Sequence, residues 1–400
     1  MVLNILATVL TTLLRILSIY FFIIALFCLR KPKRFDVAAP KTRFAVLIAA
    51  RNEERVIAQL VEVLQAQEYP RELYDIYVVL NNCTDDTERL ARQAGAEILR
   101  CEEAVRYKGD ALHQAVERLM PQGYDAFCFF DADNLADRNF LARMNDAFCG
   151  GAKVGKATFK VKNPKDSWVP GCYGLYLTLF DVFYSRARAN CGLSAKLVGT
   201  GFAVHREVFE RLGGWNTVTI AEDAEFSAQC AAAGIRIHFV FDAITYDEAP
   251  AAFGMSMRQR RRWCSGVMDV TKVRMKSLLS ALGGEDRVRS FDMLAFLVAP
   301  YLQAISPLPL VLFGVAAALN GNLGSFMLLV IGGAAGLWIG LMLFGLALAK
   351  LGRYPLKMMA KSILLFPLFM ISWWPLQFVS LFQRTTEWKV IDHGVAAHEK

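Results

Sequence analysis

Two carboxylates one residue apart, Asp131 and Asp133, close an apolar run over residues 124–130. On extended backbone, residues i and i+2 point to the same side. Two carboxylates there repel unless a cation sits near them. Mg²⁺ or Mn²⁺, which takes oxygen ligands and substrate phosphates, meets that need. The bland alternative is a polar strand end that leads into a helix cap. Glu222 and Asp223 form a second candidate, at the head of a helical stretch that stops at Gly234. Acidic residues suit a first helical turn for electrostatic reasons alone; the functional alternative makes one of them a general base. A third run, residues 257–263, sets Arg258, Arg260, Arg261 and Arg262 before Trp263. Such a patch suits anionic lipid. Equally, Arg clamps a leaving diphosphate through paired hydrogen bonds, and Trp stacks on a sugar face.

These groups need elements to hold them. Residues 44–50 are a short apolar run, read as a buried strand that ends in Arg51, Asn52, Glu53 and Glu54. Val56, Leu60, Val63 and Leu64 follow at helical spacing. Residues 75–80 make a second strand, and the polar residues 81–87 after it suit a turn and a helix N-cap. The next helix runs through Leu90 to a stop at Gly95, residues 96–99 form a third strand, and residues 124–130 a fourth. Strand and helix in alternation predict a doubly wound, mostly parallel α/β sheet. Ligands of such sheets bind beyond the carboxyl ends of the strands. The polar motifs after Ala50, Leu80 and Phe130 all fall there. With no GxGxxG and no Walker lysine loop, dinucleotide and P-loop readings are weak.

Of the 400 residues, 55% are hydrophobic and only 20% charged, below the usual quarter or so. No charged residue lies between Asp292 and Lys350, or between Lys361 and Arg384. This excludes a wholly soluble or disordered protein. The net charge of +8 then reflects basic residues at a membrane surface better than a nucleic-acid partner. Nine cysteines show no CxxC pair and no zinc spacing, which argues against a disulfide framework and a structural zinc. The first apolar run, residues 3–29, has no basic leader and no A-x-A site, and reads as a retained helix. Arg15 interrupts it, so it should face the bundle or snorkel, unless the helix starts late and tilts. Arg30, Lys31, Lys33 and Arg34 follow and put that end in the cytosol. Two spans should lie between Asp292 and Lys350, joined by an outer turn at Asn320, Gly321, Asn322 and Gly324. Lys350, Arg353 and Lys357 return to the cytosolic side. Pro367, Pro375, Trp373 and Trp374 make the last run read as re-entrant or interfacial rather than as a third span. The expected division is a membrane helix at 1–29, an α/β domain at 30–254, basic interfacial helices at 255–290, two spans at 291–350, the ambiguous segment at 361–383 and a cytosolic tail at 384–400.

Seven motifs in one order carry a resemblance: Asn52-Glu53, N-C-T-D-D-T after Asn81, K-G-x-A-L at Lys108, D-A-D at Asp131, G-T-G at Gly199, E-D at Glu222 and Q-R-R-R-W at Gln259. Together they resemble the membrane-bound family 2 glycosyltransferases, which include cellulose, chitin, hyaluronan and poly-N-acetylglucosamine synthases. The resemblance covers residues 45–266. It implies a GT-A fold, a UDP-sugar donor, a divalent metal (Mg²⁺ or Mn²⁺) and inversion at the anomeric carbon. It further implies that Asn52, Glu53, Asn81 and Asn82 line the uridine pocket, and that Lys108 meets the nucleotide or its phosphates. Asp131 would contact the nucleotide and Asp133 hold the metal. Gly199, Thr200 and Gly201 would border the donor sugar and acceptor channel, Asp223 would be the base, and Glu222 would stand beside it. Gln259, Arg262 and Trp263 would form the acceptor and diphosphate site. Many relatives have Asp where this chain has Asn81; an amide still offers a uracil edge both a donor and an acceptor. In the tail, Trp388 and His393 are candidates for closing over the nucleotide, against the alternative of a solvated end.

The leading expectation is a multi-pass enzyme of the inner or plasma membrane, with a cytosolic catalytic domain, that extends a polysaccharide processively from a UDP-sugar. Transfer of a single sugar to a lipid-linked acceptor is the alternative, and a non-catalytic scaffold or transport subunit a more distant one. Membrane lipids are expected partners. The small number of spans suggests a further membrane partner or a homo-oligomer.

Overall fold

The computed structural model describes residues 2–383. Helix α1 (Val2–Leu26) precedes the α/β domain. That domain runs β1 (Phe44–Ala50), α2 (Ile57–Gln65), β2 (Tyr74–Leu80), α3 (Thr87–Gln93), β3 (Glu97–Arg100), α4 (Lys108–Leu119), β4 (Ala126–Asp131), β5 (Leu135–Ala136) and α5 (Phe140–Cys149). It continues with β6 (Val154–Val161), α6 (Trp168–Leu179), α7 (Ala187–Cys191), β7 (Phe202–His205), α8 (Arg206–Leu212), α9 (Glu222–Ala232) and β8 (Ile237–Asp247). Six helices follow: α10 (Phe253–Ala281), α11 (Arg287–Ile305), α12 (Leu308–Leu319), α13 (Leu323–Leu351), α14 (Leu356–Ile371) and α15 (Trp373–Phe382).

The sheet has eight strands in the order β3-β2-β1-β4-β7-β6-β8-β5. β1 to β4 pair in parallel, as the alternating pattern requires, and so do β6 and β8. β7 is antiparallel to both of its neighbours, β4 and β6. That reversal brings Gly201, at the start of β7, against the end of β4, where the Gly201 N–H donates to Phe129 O at 2.9 Å. Each face of the sheet carries its own apolar layer. Ile48, Val78 and Phe130 pack under α2 and α5, and Leu47, Phe129 and Trp215 under α4 and α9.

Among the described residues, four stretches are long and apolar enough to cross a membrane: Val2–Leu29, Arg287–Leu319, Leu323–Leu351 and Leu356–Phe382. The second is two helices, α11 and α12, broken before Pro307. The structure departs from expectation for several residues. Arg15 is exposed on a helix that already begins at Val2, so it neither faces the bundle nor precedes the helix, and of the expected alternatives only snorkelling is left. Pro367 lies inside α14 without ending it; Phe366 and Phe369 beside it are fully buried, and that packing offsets the roughly 3 kcal/mol a helical Pro costs. Residues 287–290 open α11, and residues 255–281 belong to one long helix, α10. Within it Arg260 is not part of a lipid-facing patch. It is fully buried, with its guanidinium 4.2 Å from the Phe369 ring centroid and its Nη1 donating to Phe369 O at 3.0 Å.

Candidate active site

The ends of β1, β2, β4 and β7 meet the start of α9, and most of the candidate residues gather there. Asp131 is the last residue of β4, but Ala132 and Asp133 lie in the turn beyond it. The strand-face argument therefore fails for this pair. Asn134 does the organising. Its Oδ1 accepts from Asp131 N at 3.1 Å and from the Thr200 hydroxyl, and its Nδ2 donates to Asp247 Oδ1 at 2.9 Å and toward Asp133 Oδ1 at 3.4 Å. The hydroxyl of Thr200 also receives Asp131 N at 3.0 Å.

Lys108, at the head of α4, puts its ammonium at the centre of this group. Its Nζ lies 2.5 Å from Asp131 Oδ1, 3.3 Å from Glu222 Oε1, and donates to Gly199 O at 2.6 Å. Burial alone would lower its proton affinity, but Asp131 and Glu222 outweigh burial and raise it. The same peptide serves the base candidate: Gly199 N donates to Asp223 Oδ2 at 2.6 Å, while Asp223 Oδ1 accepts from Ala224 N at 2.7 Å. Gly199 and Gly201 have φ of +54° and +61°, a backbone that favours glycine. A Cβ on Gly201 would also collide with Thr245.

Glu222 is buried. Burial first, and then Asp223 and Asp131, push its carboxyl above the usual range, against the pull of Lys108. Asp247, at the end of β8, behaves alike: burial and Asp131 raise it, while Asn134 and Lys162 hold it down. Lys162 donates to Asp133 O at 2.8 Å and pairs with Glu248 at 2.6 Å.

On the donor side, Asn52 and Asn82 both take positive φ, 58° and 49°. Asn52 Oδ1 accepts from Thr84 N at 2.8 Å, and Glu53 N donates to Thr87 Oγ1 at 2.8 Å, which ties the β1 loop to the β2 loop. Asn81 is buried, and its Oδ1 has no hydrogen-bond partner among the described residues. A buried acceptor without a partner is costly, and a base edge is one group that supplies a donor there.

On the acceptor side, Gln259 Oε1 accepts from Tyr173 OH at 2.9 Å. Trp263 stacks on Trp373 at 6.2 Å between centroids and meets Tyr173 edge-on at 6.0 Å. Arg262 is half-buried and makes no hydrogen bond or ion pair among the described residues. Trp388 and His393 lie outside the described residues.

Sequence reasoning missed three groups. Asn134 and Asp247 meet only through the fold. Lys196 is a buried ammonium whose neighbours are Phe296 of α11, at 5.0 Å, and Phe180, at 5.8 Å. Burial lowers its proton affinity and Asp223 and Glu222 raise it.

A divalent metal fits these residues in one way. Among the described residues, no three His, Cys, Asp or Glu are grouped to hold an ion. Mg²⁺ and Mn²⁺ commonly take one or two carboxylates and complete their shell with substrate phosphates and water. Asp133 and Asp131, beside Asp247, offer that donor chemistry.

A profile described as Glycosyltransferase like family 2 matches residues 40–266, more than half of the chain. The chain is 30% identical over 236 residues to YdaM of Bacillus subtilis (strain 168), a probable glycosyltransferase, covering 56% of this chain and 55% of that protein. It is 26% identical over 280 residues to the beta-monoglucosyldiacylglycerol synthase of Nostoc sp., covering 66% and 57%. Against the poly-beta-1,6-N-acetyl-D-glucosamine synthase of Staphylococcus aureus (strain COL) it is 24% identical over 229 residues, covering 56% and 54%. The matched region thus spans little more than half the length of these relatives. Among solved structures, the mannosyltransferase PcManGT from Pyrobaculum calidifontis, in complex with GDP-Man and Mn²⁺, superposes with a TM-score of 0.60 at 22% identity. The match covers 92% of this chain and 98% of that one, and the likeness is one of fold.

Proposed function

Because the chain belongs to glycosyltransferase family 2, on a GT-A fold, we propose that it is an inverting enzyme of the membrane surface that moves a hexose from a UDP-sugar to a hydroxyl of a membrane-held acceptor. The observation that carries this is the cluster of Lys108, Asp131, Glu222 and Asp223 at the meeting of β4, β7 and α9. Asp223 is the base. Its two oxygens are fixed by backbone N–H groups of Gly199 and Ala224, and it takes the acceptor proton as the hydroxyl attacks the anomeric carbon. Lys108 and Arg262 meet the charge that grows on the departing diphosphate. Asn52, Glu53, Asn81 and Asn82 hold the nucleoside, the orphaned Oδ1 of Asn81 being ready for a base N–H. Asp133 and Asp131 would hold Mg²⁺ or Mn²⁺, which when bound supplies positive charge to the diphosphate.

Two observations favour a lipid as acceptor. The base lies within electrostatic reach of Lys196, which packs on Phe296 of the candidate span α11. One face of Trp263 is already occupied by Trp373. The glycolipid synthases among the relatives agree with this. Processive polymer synthesis is the second reading, supported by Gln259, Arg262 and Trp263 on α10 and by the polysaccharide synthase among the relatives. Basic flanks at Arg30 to Arg34 and Lys350 to Lys357 support a cytosolic domain, where UDP-sugars are made. Incubation of membranes with radiolabelled UDP-sugars separates the two acceptor readings. A lipid product partitions into organic solvent and carries one sugar. A polymer stays in the aqueous or insoluble fraction and lengthens with time. Release of free sugar and UDP alone would contradict both.

A further inference from the structure

The end of the sheet remote from Asp131 holds a second concentration of charge that sugar transfer does not use. A cleft of about 430 Å³ is lined there by Lys153, Arg211, Arg236, His238 and Arg289, with Glu207 as the carboxylate in its wall. The cations are incompletely matched. Lys153 pairs with Glu207 at 2.5 Å, and Arg289 pairs with Asp286. Arg211 donates only to the Ala233 carbonyl, and Arg236 to Leu193 O and Ala189 O at 3.1 and 3.0 Å. Two guanidinium charges therefore stand without a carboxylate among the described residues. Two buried nitrogens on the lining, His238 Nδ1 and Arg289 Nε, also have no hydrogen-bond partner among the described residues. Burial lowers the His238 imidazole to about 4, helped by Arg236, Arg289 and Lys33. It stays neutral at physiological pH and reports a positive local field.

The cleft lies where candidate spans meet the α/β domain. Arg289 is in the first turn of α11. The carbonyls that hold Arg236 belong to α7 and the residues just after it. In α7 Asn190 donates to Phe27 O and Arg30 O at the basic end of α1. Phe35 packs edge-on against His238 at 6.0 Å. Basic pockets at this level of a membrane protein recognise phosphate headgroups, and a guanidinium pairs with phosphate oxygens through two parallel hydrogen bonds.

We propose that this cleft binds a phosphate-bearing anion, and its position beside α1 and α11 points to the headgroup of an anionic membrane lipid as the source. Purified full-length protein in neutral detergent is titrated with short-chain phosphatidate, with inorganic phosphate and with short-chain phosphatidylcholine. Phosphatidate should bind and phosphatidylcholine should not displace it. Arg211→Gln should weaken phosphatidate about fivefold, the worth of one basic residue near a headgroup, with transfer activity in neutral detergent unchanged. Glu207→Gln, which frees Lys153, should tighten it. If inorganic phosphate binds as tightly as phosphatidate and both respond to Arg211→Gln, the anion chemistry stands and the lipid source is overturned. If neither substitution changes phosphatidate affinity, the cleft is not its site and the proposal falls.

Discussion

Two lysines in the same domain, Lys156 fully buried and Lys108 partly so, have opposite surroundings. Lys156, on β6, is paired with one carboxylate, Asp181; it donates as well to Ala157 O at 2.9 Å, and the second oxygen of Asp181 accepts from Phe159 N at 2.7 Å. Both oxygens of the Asp181 carboxylate are used. Lys108 faces Asp131 and Glu222 together, with Asp223 and Asp247 close behind. Lys162 acts on Asp247, and Lys196 lies near Asp223 and Glu222, yet two of the carboxyl groups, Glu222 and Asp247, are still held above the usual range. A closed one-to-one pair specifies packing. A shared cluster of carboxyl groups, some of them held above the usual range, at the carboxyl ends of strands marks a place completed by a cation, a proton or a substrate. The two regions should therefore respond differently to the same kind of substitution.

The largest effect is expected at the open cluster. Asp133→Asn should abolish turnover and should weaken UDP binding only when Mn²⁺ or Mg²⁺ is present; calorimetric titration with and without EDTA reads this. Equal UDP affinity in all four combinations would remove Asp133 from the metal. The closed pair should respond in stability rather than in specific function. Asp181→Asn leaves Lys156 buried without its partner, which costs about 3–5 kcal/mol. The thermal midpoint in detergent should drop by about 10 °C, with UDP affinity kept at temperatures where the variant is folded. Replacing both residues, Lys156→Met with Asp181→Leu, should recover most of the loss. If Asp181→Asn removed UDP binding from folded protein, the contrast between the regions would collapse. The smallest effect concerns pH. Between the ordinary Glu value of about 4.3 and the raised value of Glu222, the folded protein binds more protons than the unfolded one. The contribution of Glu222 to stability therefore falls as pH rises through that window. Wild type should lose stability relative to Glu222→Gln from pH 5 upward, by about 1.4 kcal/mol for each tenfold change in proton affinity. A pH-independent difference between the two would mean that Glu222 titrates normally.

The contrast also separates what was legible in the sequence from what was not. β1, Phe44–Ala50, was readable to the residue because a buried parallel strand is apolar throughout. Asp131 and Asp223 stood out because each follows or opens an element with a clear pattern, whereas Lys108 was named only through the family resemblance. Asp247 was not legible: Asn134 reaches it across 113 residues of chain, and no local pattern announces that contact. Lys156 and Lys196 read locally as ordinary strand and loop lysines; only the fold buries them. Arg260 misled in the other direction, since a run of arginines suggests a solvated face, whereas the helical repeat of α10 turns this one onto Phe369. The reversal of β7, which brings Gly199 and Thr200 to Lys108 and Asp131, depends on pairing between distant strands, and a single chain carries no signal for it.

The central claim is that Asp223 takes the acceptor proton within this cluster while leaving donor binding to its neighbours. Asp223→Asn keeps the shape and removes the base. Measured side by side on folded protein, UDP affinity in the presence of Mn²⁺ should stay within about twofold of wild type, and the transfer rate should fall by roughly 10²–10⁴-fold. A variant that transfers sugar at the wild-type rate, or that no longer binds UDP, would contradict the account.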